Sequence, residues 1–318
     1  MANRLLIGTD EAGYGPNLGP LVVVATAWSL PEELNPNELW QSLAGVLTNQ
    51  YRSNDRRLYV ADSKAVYSAG DGLESLEVPV LAFLQSLGGG HGRIDALAAS
   101  VCADDFQMRF LAEPWNQGEL QPLPIDSCRD HVTEWTEQLR LAMSQSAVTL
   151  VGVRARILFP SEFNALVAET DSKGSVLSTA TLQLVRGLCD QFPGLPTSVF
   201  CDKHGGRNRY DEVIATQFDD RFVFRLEESR ERSRYRMDNL EFCFRTKAES
   251  LLPVALASMT AKYFREVLMR QFNRWWQLQV PDLKPTQGYP VDAKRFRSEI
   301  SEAVDRLGIP EECLWRTR

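Results

Sequence analysis

Two carboxylates stand side by side at Asp10-Glu11, after a run of buried-strand type at residues 5–7 and before a loop holding Gly13, Gly15 and Gly19 with Pro16 and Pro20. Adjacent acids repel unless a proton or a cation lies between them. A hard cation such as Mg²⁺ takes oxygen donors of this kind. The glycines let backbone N–H groups come close to a phosphate or a sugar. The same residues also read as a surface turn with two solvated acids. Asp202 ends a second apolar run, 197–201, and leads into Lys203-His204-Gly205-Gly206-Arg207. An acid there fits a metal ligand at a sheet edge, or an Asp in a glycine turn. Asp62-Ser63-Lys64 joins an acid, a hydroxyl and an amine, a set that suits a phosphate or a helix N-cap. Ser258, Lys262 and Glu266 are spaced i, i+4 and i+8, on one face of a helix. A Lys–Glu pair so spaced is ordinarily a surface ion pair worth under about 1 kcal/mol.

These groups need elements to bring them together. Neighbouring strand residues point to opposite faces, so Asp10 and Glu11 can share a site only where their strand gives way to the glycine loop. Residues 21–25 form a second aliphatic run, and the two runs read as a hairpin. Further strands are expected at 58–60, 148–158, 197–201, 221–226 and 240–244. Helices are expected at 37–47, 129–143, 160–167, 175–188, 249–271 and 292–307, from apolar residues at helical spacing. In the 249–271 helix Ala257, Ala261 and Leu268 form an apolar stripe beside the Ser258 face, and Trp275-Trp276 follows as its cap. Residues 281–288 read as a loop. Residues 70–125 are the least legible. Gly88-Gly89-Gly90-His91-Gly92 is a loop that lacks the Gly-Lys-Ser/Thr ending of a P-loop, and 120–124 is a break.

Composition bounds the classes. A chain of 318 residues with 44% hydrophobic content holds one large domain or two smaller ones. No run is long and apolar enough to span a membrane, and no signal-peptide pattern opens the chain. Six cysteines without a C-x-x-C pair read as reduced thiols of a cytoplasmic protein. Three histidines, at 91, 131 and 204, argue against a His-based zinc site. The net charge of −7 argues against a non-specific nucleic-acid binder, not against an enzyme with a local basic groove. Residues 221–236 hold six arginines against three acids, and Lys203, Arg207 and Arg209 flank Asp202. They read as a backbone-contacting surface, or as a solvated strand-turn-strand.

Five motifs in order resemble the type 2 ribonuclease H family, ribonucleases HII and HIII. They are the Asp-Glu-Ala-Gly hairpin at Asp10; Asp62-Ser63-Lys64; Asp202 after Ser198-Val199-Phe200-Cys201; Ala257-Ser258-Met259-Thr260-Ala261-Lys262 with Arg265-Glu266; and Gly288-Tyr289-Pro290. The resemblance covers about residues 4–66 and 148–290. It implies the ribonuclease H-like fold, an α/β mixed central sheet flanked by helices. The expected organisation is a catalytic domain over 1–271, with 70–145 as an insertion or elaboration, and a C-terminal helical region over 272–318.

The function implied is hydrolysis of the RNA strand of RNA–DNA hybrids, or cleavage at ribonucleotides in DNA. Asp10, Glu11, Asp202 and Glu266 would be the catalytic carboxylates, holding one or two Mg²⁺ or Mn²⁺ ions. Gly13, Tyr14, Gly15, Ser63, Lys64, Ser258, Lys262 and Tyr289 would bind substrate. Two departures stand out. The family has Asp where this chain has Glu266, one methylene longer, and Gly-Arg-Gly where it has Gly13-Tyr14-Gly15. A catalytically silent nucleic-acid-binding relative and a metal-dependent phosphoesterase acting on a small substrate are the competing classes.

Overall fold

The aliphatic run at 5–7 is the middle of strand β1 (Asn3–Ala12), which pairs antiparallel with β2 (Leu21–Pro31) from Asn3↔Pro31 to Ala12↔Val22. The hairpin expected from the glycine loop is therefore present. Pairing continues past the two acids, so Asp10 and Glu11 are still inside the strand and not where it gives way. The computed structural model describes residues 2–317 apart from 69, 71, 90, 91, 104, 205 and 206. Gly90-His91 and Gly205-Gly206, in two of the expected loops, lie outside the described residues.

The remaining strands are β3 (Leu47–Thr48), β4 (Leu58–Tyr59), β5 (Thr149–Leu158), β6 (Thr197–Asp202), β7 (Phe224–Glu228), β8 (Arg232–Met237) and β9 (Leu240–Arg245). The helices in chain order are α1 (Leu39–Ser42), α2 (Ser63–Val66), α3 (Glu74–Ser86), α4 (Ile94–Ala99), α5 (Phe106–Ala112), α6 (Arg129–Gln145), α7 (Pro160–Thr170), α8 (Lys173–Cys189), α9 (Asp211–Gln217), α10 (Leu252–Gln279), α11 (Pro290–Leu307) and α12 (Glu311–Leu314). Seven strands form one mixed sheet in the order β5-β2-β1-β6-β9-β8-β7, with β1, β6 and β9 parallel. The α/β mixed sheet flanked by helices is thus the observed architecture. Among the described residues no helix is long and apolar enough to cross a membrane.

Alternation along the strands divides the core in two. Leu6, Val22, Val24 and Trp28 face α3, α6 and α10, while Leu5, Ile7, Leu21 and Val23 face α7, α8 and α9. Helix α10 lies close against the sheet because Gly8 has no side chain: a Cβ there would sit 2.4 Å from the Pro253 carbonyl carbon. That approach puts the Ser258 face of α10 over the end of β1. A third cluster joins Leu18 of the hairpin loop to Met269, Phe272, Trp276, Phe296, Ile300 and Leu314. It docks the C-terminal helices beside the loop.

Several boundaries differ from the sequence reading. The helix expected over 37–47 ends at Ser42, and Leu47 leaves it to pair with Leu58 in a two-stranded parallel sheet. Helix α10 starts at Leu252, where Pro253 sits in the first turn, and runs to Gln279. Trp275 and Trp276 therefore lie within the helix instead of capping it, and α10 crosses the 271/272 division. Residues 70–145 contribute α3 to α6. Phe83, Leu97, Phe106, Phe110, Val132 and Leu139 in these helices are buried in the core cluster on the α10 face. The segment supplies part of the core on this face of the protein.

Candidate active site

The site is assembled at the carboxyl ends of two adjacent parallel strands. Thr9 of β1 is in register with Cys201 of β6, the last pair between these strands, so Asp10 and Asp202 follow it at the same level. In sheets of this kind the crevice beyond the strand ends is where ligands sit. Asp10 accepts a hydrogen bond from the Glu11 N–H (2.9 Å). Asp202 Oδ1 lies 3.5 Å from the Ala248 N–H, at the limit of a hydrogen bond.

The three carboxyls disfavour charge together. Burial, and then the Glu11 charge, hold Asp10 well above the usual carboxylate range, while a hydrogen bond with Ser258 acts the other way. Burial and the Asp202 charge raise Glu11 to about 7. Burial also raises Asp202. Lys64 pulls both Glu11 and Asp202 downward. Glu249, near Asp202 and Asp62, is raised by its burial and by those two charges. This set of hard oxygen donors is short of positive charge, and its chemistry fits a divalent cation. As the side chains lie, no group of three or more His, Cys, Asp or Glu among the described residues is arranged to hold an ion. The strand supplies a reason. Asp10 is in phase with Leu6 and Ala12, on the α10 face, and Glu11 is in phase with Leu5 and Ile7.

The Asp62-Ser63-Lys64 segment joins this site through α10. Asp62 is the N-cap of α2, accepting from the Lys64 N–H at 3.2 Å, so the capping reading holds. The Ser63 N–H donates to Ser258 Oγ (3.3 Å), and the two hydroxyls are 3.1 Å apart. Ser258 thus ties α10 to α2. Lys64 has an exposed side chain at the lip.

Glu266 is held elsewhere. It is 1% exposed. Its Oε1 accepts from Lys262 Nζ (2.6 Å), and its Oε2 accepts from the Tyr67 hydroxyl (3.0 Å). With its amide turned, Gln287 donates to both oxygens at 3.2 and 3.3 Å. Lys262 also lies 5.0 Å from the centre of the Tyr67 ring. The structure brings together Asp10, Glu11, Asp202, Ser63, Lys64 and Ser258. It gives Lys262 and Glu266 to a separate, adjoining network. A cleft of about 410 Å³ opens there, lined by Tyr67, Glu266, Arg270 and Gln287.

The glycine loop borders the site on its other side. Gly13 has φ +90°, and a Cβ there would meet Arg265 Nε at 2.5 Å. Only glycine fits that turn over the buried arginine. Tyr14 is half-buried, its hydroxyl raised by burial and by the Glu11 charge, and it lies beside Gly174 of α8. Gly15 has open space around its Cα. The Gly288 carbonyl accepts from the Asn17 N–H (2.7 Å), which brings the Gly288-Tyr289 turn against the hairpin loop. Tyr289 is 54% exposed, as expected for a usable aromatic. The arginine run forms β7 and β8 at the open sheet edge, and most of its members are paired with acids, such as Arg225 with Asp211 and Arg232 with Glu227. His204 is buried and held by Ser178 Oγ (3.0 Å), so it is a packing histidine.

Sequence reasoning missed Tyr67, Gln287 and Arg316, and assigned no role to Arg265. Tyr67 and Gln287 lie within five residues of motifs it did use, and no periodicity marks them. Arg265 Nη2 donates to the carbonyls of Leu18 (3.2 Å) and Gln287 (3.0 Å), linking the hairpin loop to the Tyr289 turn.

No protein-family profile matches the chain, and no curated protein matches it. Similar solved structures include Bst-RNase HIII in complex with Mn²⁺, with 13% identity, a TM-score of 0.45, and coverage of 99% of this chain and 66% of that one. RNase HII of Archaeoglobus fulgidus, from its complex with PCNA, has 16% identity and a TM-score of 0.42 over 99% of this chain and 94% of its own. Ribonuclease H2 of Pyrococcus horikoshii has 13% identity and a TM-score of 0.44 over 98% and 92%. The chain spans just under two thirds of the length of Bst-RNase HIII. Likenesses this distant carry no argument about activity. The solved structures it is similar to are type 2 ribonucleases H, the family whose five motifs its sequence resembles.

Proposed function

We propose that this chain is a divalent-metal-dependent endoribonuclease of the type 2 ribonuclease H kind, hydrolysing the RNA strand of RNA–DNA hybrids. DNA carrying ribonucleotides is the narrower substrate of the same reading. One observation supports it above the rest: Asp10, Glu11 and Asp202 gather just beyond the paired stretch of two parallel strands, each raised by burial, with Lys64 drawing Glu11 and Asp202 back down. Like charges drawn partly out of water at the ends of central strands are costly to a fold and mark sites that use them.

Asp10, Glu11 and Asp202 would hold Mg²⁺ or Mn²⁺. When bound, such an ion supplies positive charge where negative charge builds on a phosphodiester undergoing displacement. The chain's own groups do the positioning. Ser258 joins α10 to the start of α2 and favours the charged form of Asp10. Lys64 favours the charged forms of Glu11 and Asp202, and its exposed amine can meet a backbone phosphate. Gly13 and Gly15 present backbone to a ribose, whose 2′-OH separates RNA from DNA. Tyr14 supplies no charge there. Tyr289 offers an exposed ring for stacking beside the sugar.

The test is cleavage of a hybrid, a duplex with a single ribonucleotide, and plain duplex DNA, each with Mg²⁺, Mn²⁺ or chelator. Ion-dependent cutting of the ribonucleotide-containing strands is expected. Cutting of plain DNA at an equal rate, or equal cutting under chelator, would sink the proposal. A second reading, a silent nucleic-acid-binding relative, is favoured by the Lys262–Glu266 pairing and by the want of a formed three-donor group among the described residues. Hybrid binding with no cleavage under either ion is its signature.

A further inference from the structure

A wholly buried arginine lies under the glycine loop, and it comes from the opposite end of the chain. Arg316 is 0% exposed. Its guanidinium donates to the carbonyls of Gly13 (2.5 Å), Tyr14 (3.3 Å) and, from Nε, Pro16 (3.1 Å); Nη2 also donates to Pro16. Its backbone N–H donates to the Asn17 carbonyl (2.9 Å), and Trp315 bridges to Leu18. The C-terminal segment therefore runs beside the loop as a short added strand.

The segment is itself anchored. The Asn164 side chain donates to the Trp315 carbonyl (2.8 Å) and accepts from the Thr317 N–H (2.8 Å). The Phe163 ring lies 4.7 Å from the guanidinium carbon of Arg316. No ion pair joins Arg316 to a described acid, and its Nη1 has no hydrogen-bond partner. Burial, and then the charge of Arg265, lowers its pKa to about 9. A buried charge without a counter-ion is expensive, and an apolar side chain of similar length would fill the space without that cost. What an apolar chain would lack is the fork of donors that fixes three loop carbonyls at once.

We infer that Arg316 is a positioning residue that clamps the Gly13–Pro16 loop, so that the C-terminal segment forms part of the substrate-binding site and sets its affinity for the sugar-phosphate backbone. The inference rests on the nuclease reading only in its last clause. With the loop carbonyls turned down onto Arg316, the loop is held in one shape over the Asp10 strand end. Released from Arg316, it would lose that shape while the carboxylates, carried by β1 and β6, stay in place.

The variants are Arg316→Met, which keeps length and removes the donors, and Arg316→Lys, which keeps the charge and removes the fork. Hydrogen exchange of the Asn17 and Leu18 amides is read in the full chain, beside amides of β6 and β9 as a check on folding. In both variants the loop amides should exchange roughly tenfold faster or more, with β6 and β9 unchanged. For hybrid cleavage, KM should rise by roughly tenfold or more with kcat within a few-fold. Loop exchange that stays at the wild-type rate overturns the clamp. Faster loop exchange with KM unchanged overturns the loop's part in substrate affinity. A wild-type protein that cleaves nothing, whose loop is still released in Arg316→Met, upholds the clamp and overturns the nuclease reading instead. Should both variants unfold, Arg316→Gln, which keeps one donor group, and Asn164→Ala, which removes the bonds to Trp315 and Thr317, are read in the same way; loop exchange unmoved in both folded variants counts against the clamp.

Discussion

Shortening Glu266 by one methylene should cost stability and leave ion binding alone. In Glu266→Asp the carboxylate withdraws by about 1.5 Å, one C–C bond. Its contacts start at 2.6 Å to Lys262 and 3.0 Å to Tyr67, so the Tyr67 hydrogen bond is lost outright. Lys262, with 22% of its side chain exposed, can partly follow or turn to water, whereas the Glu266 side chain, at 2%, cannot. Tyr67 is only partly buried and lines the cleft, so its hydroxyl can turn to water; the lost bond costs about 0.5–1.5 kcal/mol, and a weakened ion pair adds to it. The expected loss is about 1–2 kcal/mol, a fall in melting temperature of roughly 2–3 °C for a chain of this size. Glu266→Gln keeps the length and an acceptor for Tyr67, so it should lose less. Melting curves and calorimetric titration with Mn²⁺ read the two effects separately. Divalent-ion affinity should stay within a few-fold in both variants, while Asp10→Asn weakens it by roughly tenfold or more. If Glu266→Gln abolishes ion binding as fully as Asp10→Asn does, at an unchanged melting temperature, Glu266 is an ion ligand and its pairing with Lys262 is incidental.

Asp10→Asn should abolish ion-dependent cleavage, by roughly a hundredfold or more, and raise the melting temperature without metal, because it removes a charge that burial and Glu11 disfavour. An active Asp10→Asn enzyme would remove the site assignment. Tyr289→Ala should leave the melting temperature nearly unchanged, since the ring is 54% exposed, and weaken hybrid binding by roughly 5- to 100-fold; a large fall in melting temperature instead would mark a packing tyrosine. Glu113 is 3% exposed with no partner for its Oε2, and burial raises its carboxyl to about 8. Because that value lies above the unfolded one, the stability it contributes is complete below about pH 4.5 and is lost as pH rises through 8. Glu113→Gln should therefore melt higher than wild type at pH 9 and close to it at pH 5; equal melting at both would show that Glu113 is not buried as a neutral acid.

The sequence by itself determined most strands, though not β3 or β8, and half of the described helices, because their signals are local. The aliphatic run of β1, the alternation of β5 and the stripe of α8 are each written in a dozen residues or fewer. It also pointed to Asp10, Glu11 and Asp202, because acids at the ends of apolar runs stand out. Whether those acids meet was decided by the sheet order, which sets β6 beside β1 across nearly 190 residues of chain. The i, i+4 spacing named the Lys262–Glu266 pair, but not that Glu266 would be buried and matched by Tyr67 and Gln287. Those partners come from segments far apart in the chain, brought to α10 by tertiary packing. The largest gap lay at 70–125, where the helices lack a clean amphipathic period; α3 buries nine consecutive residues, Glu77 and Pro79 among them. Arg316 was invisible for the same reason. Nothing in Trp315-Arg316-Thr317 says that this arginine lies under a loop 300 residues earlier, and only the docking of the C-terminal helices against Leu18 and α10 puts it there.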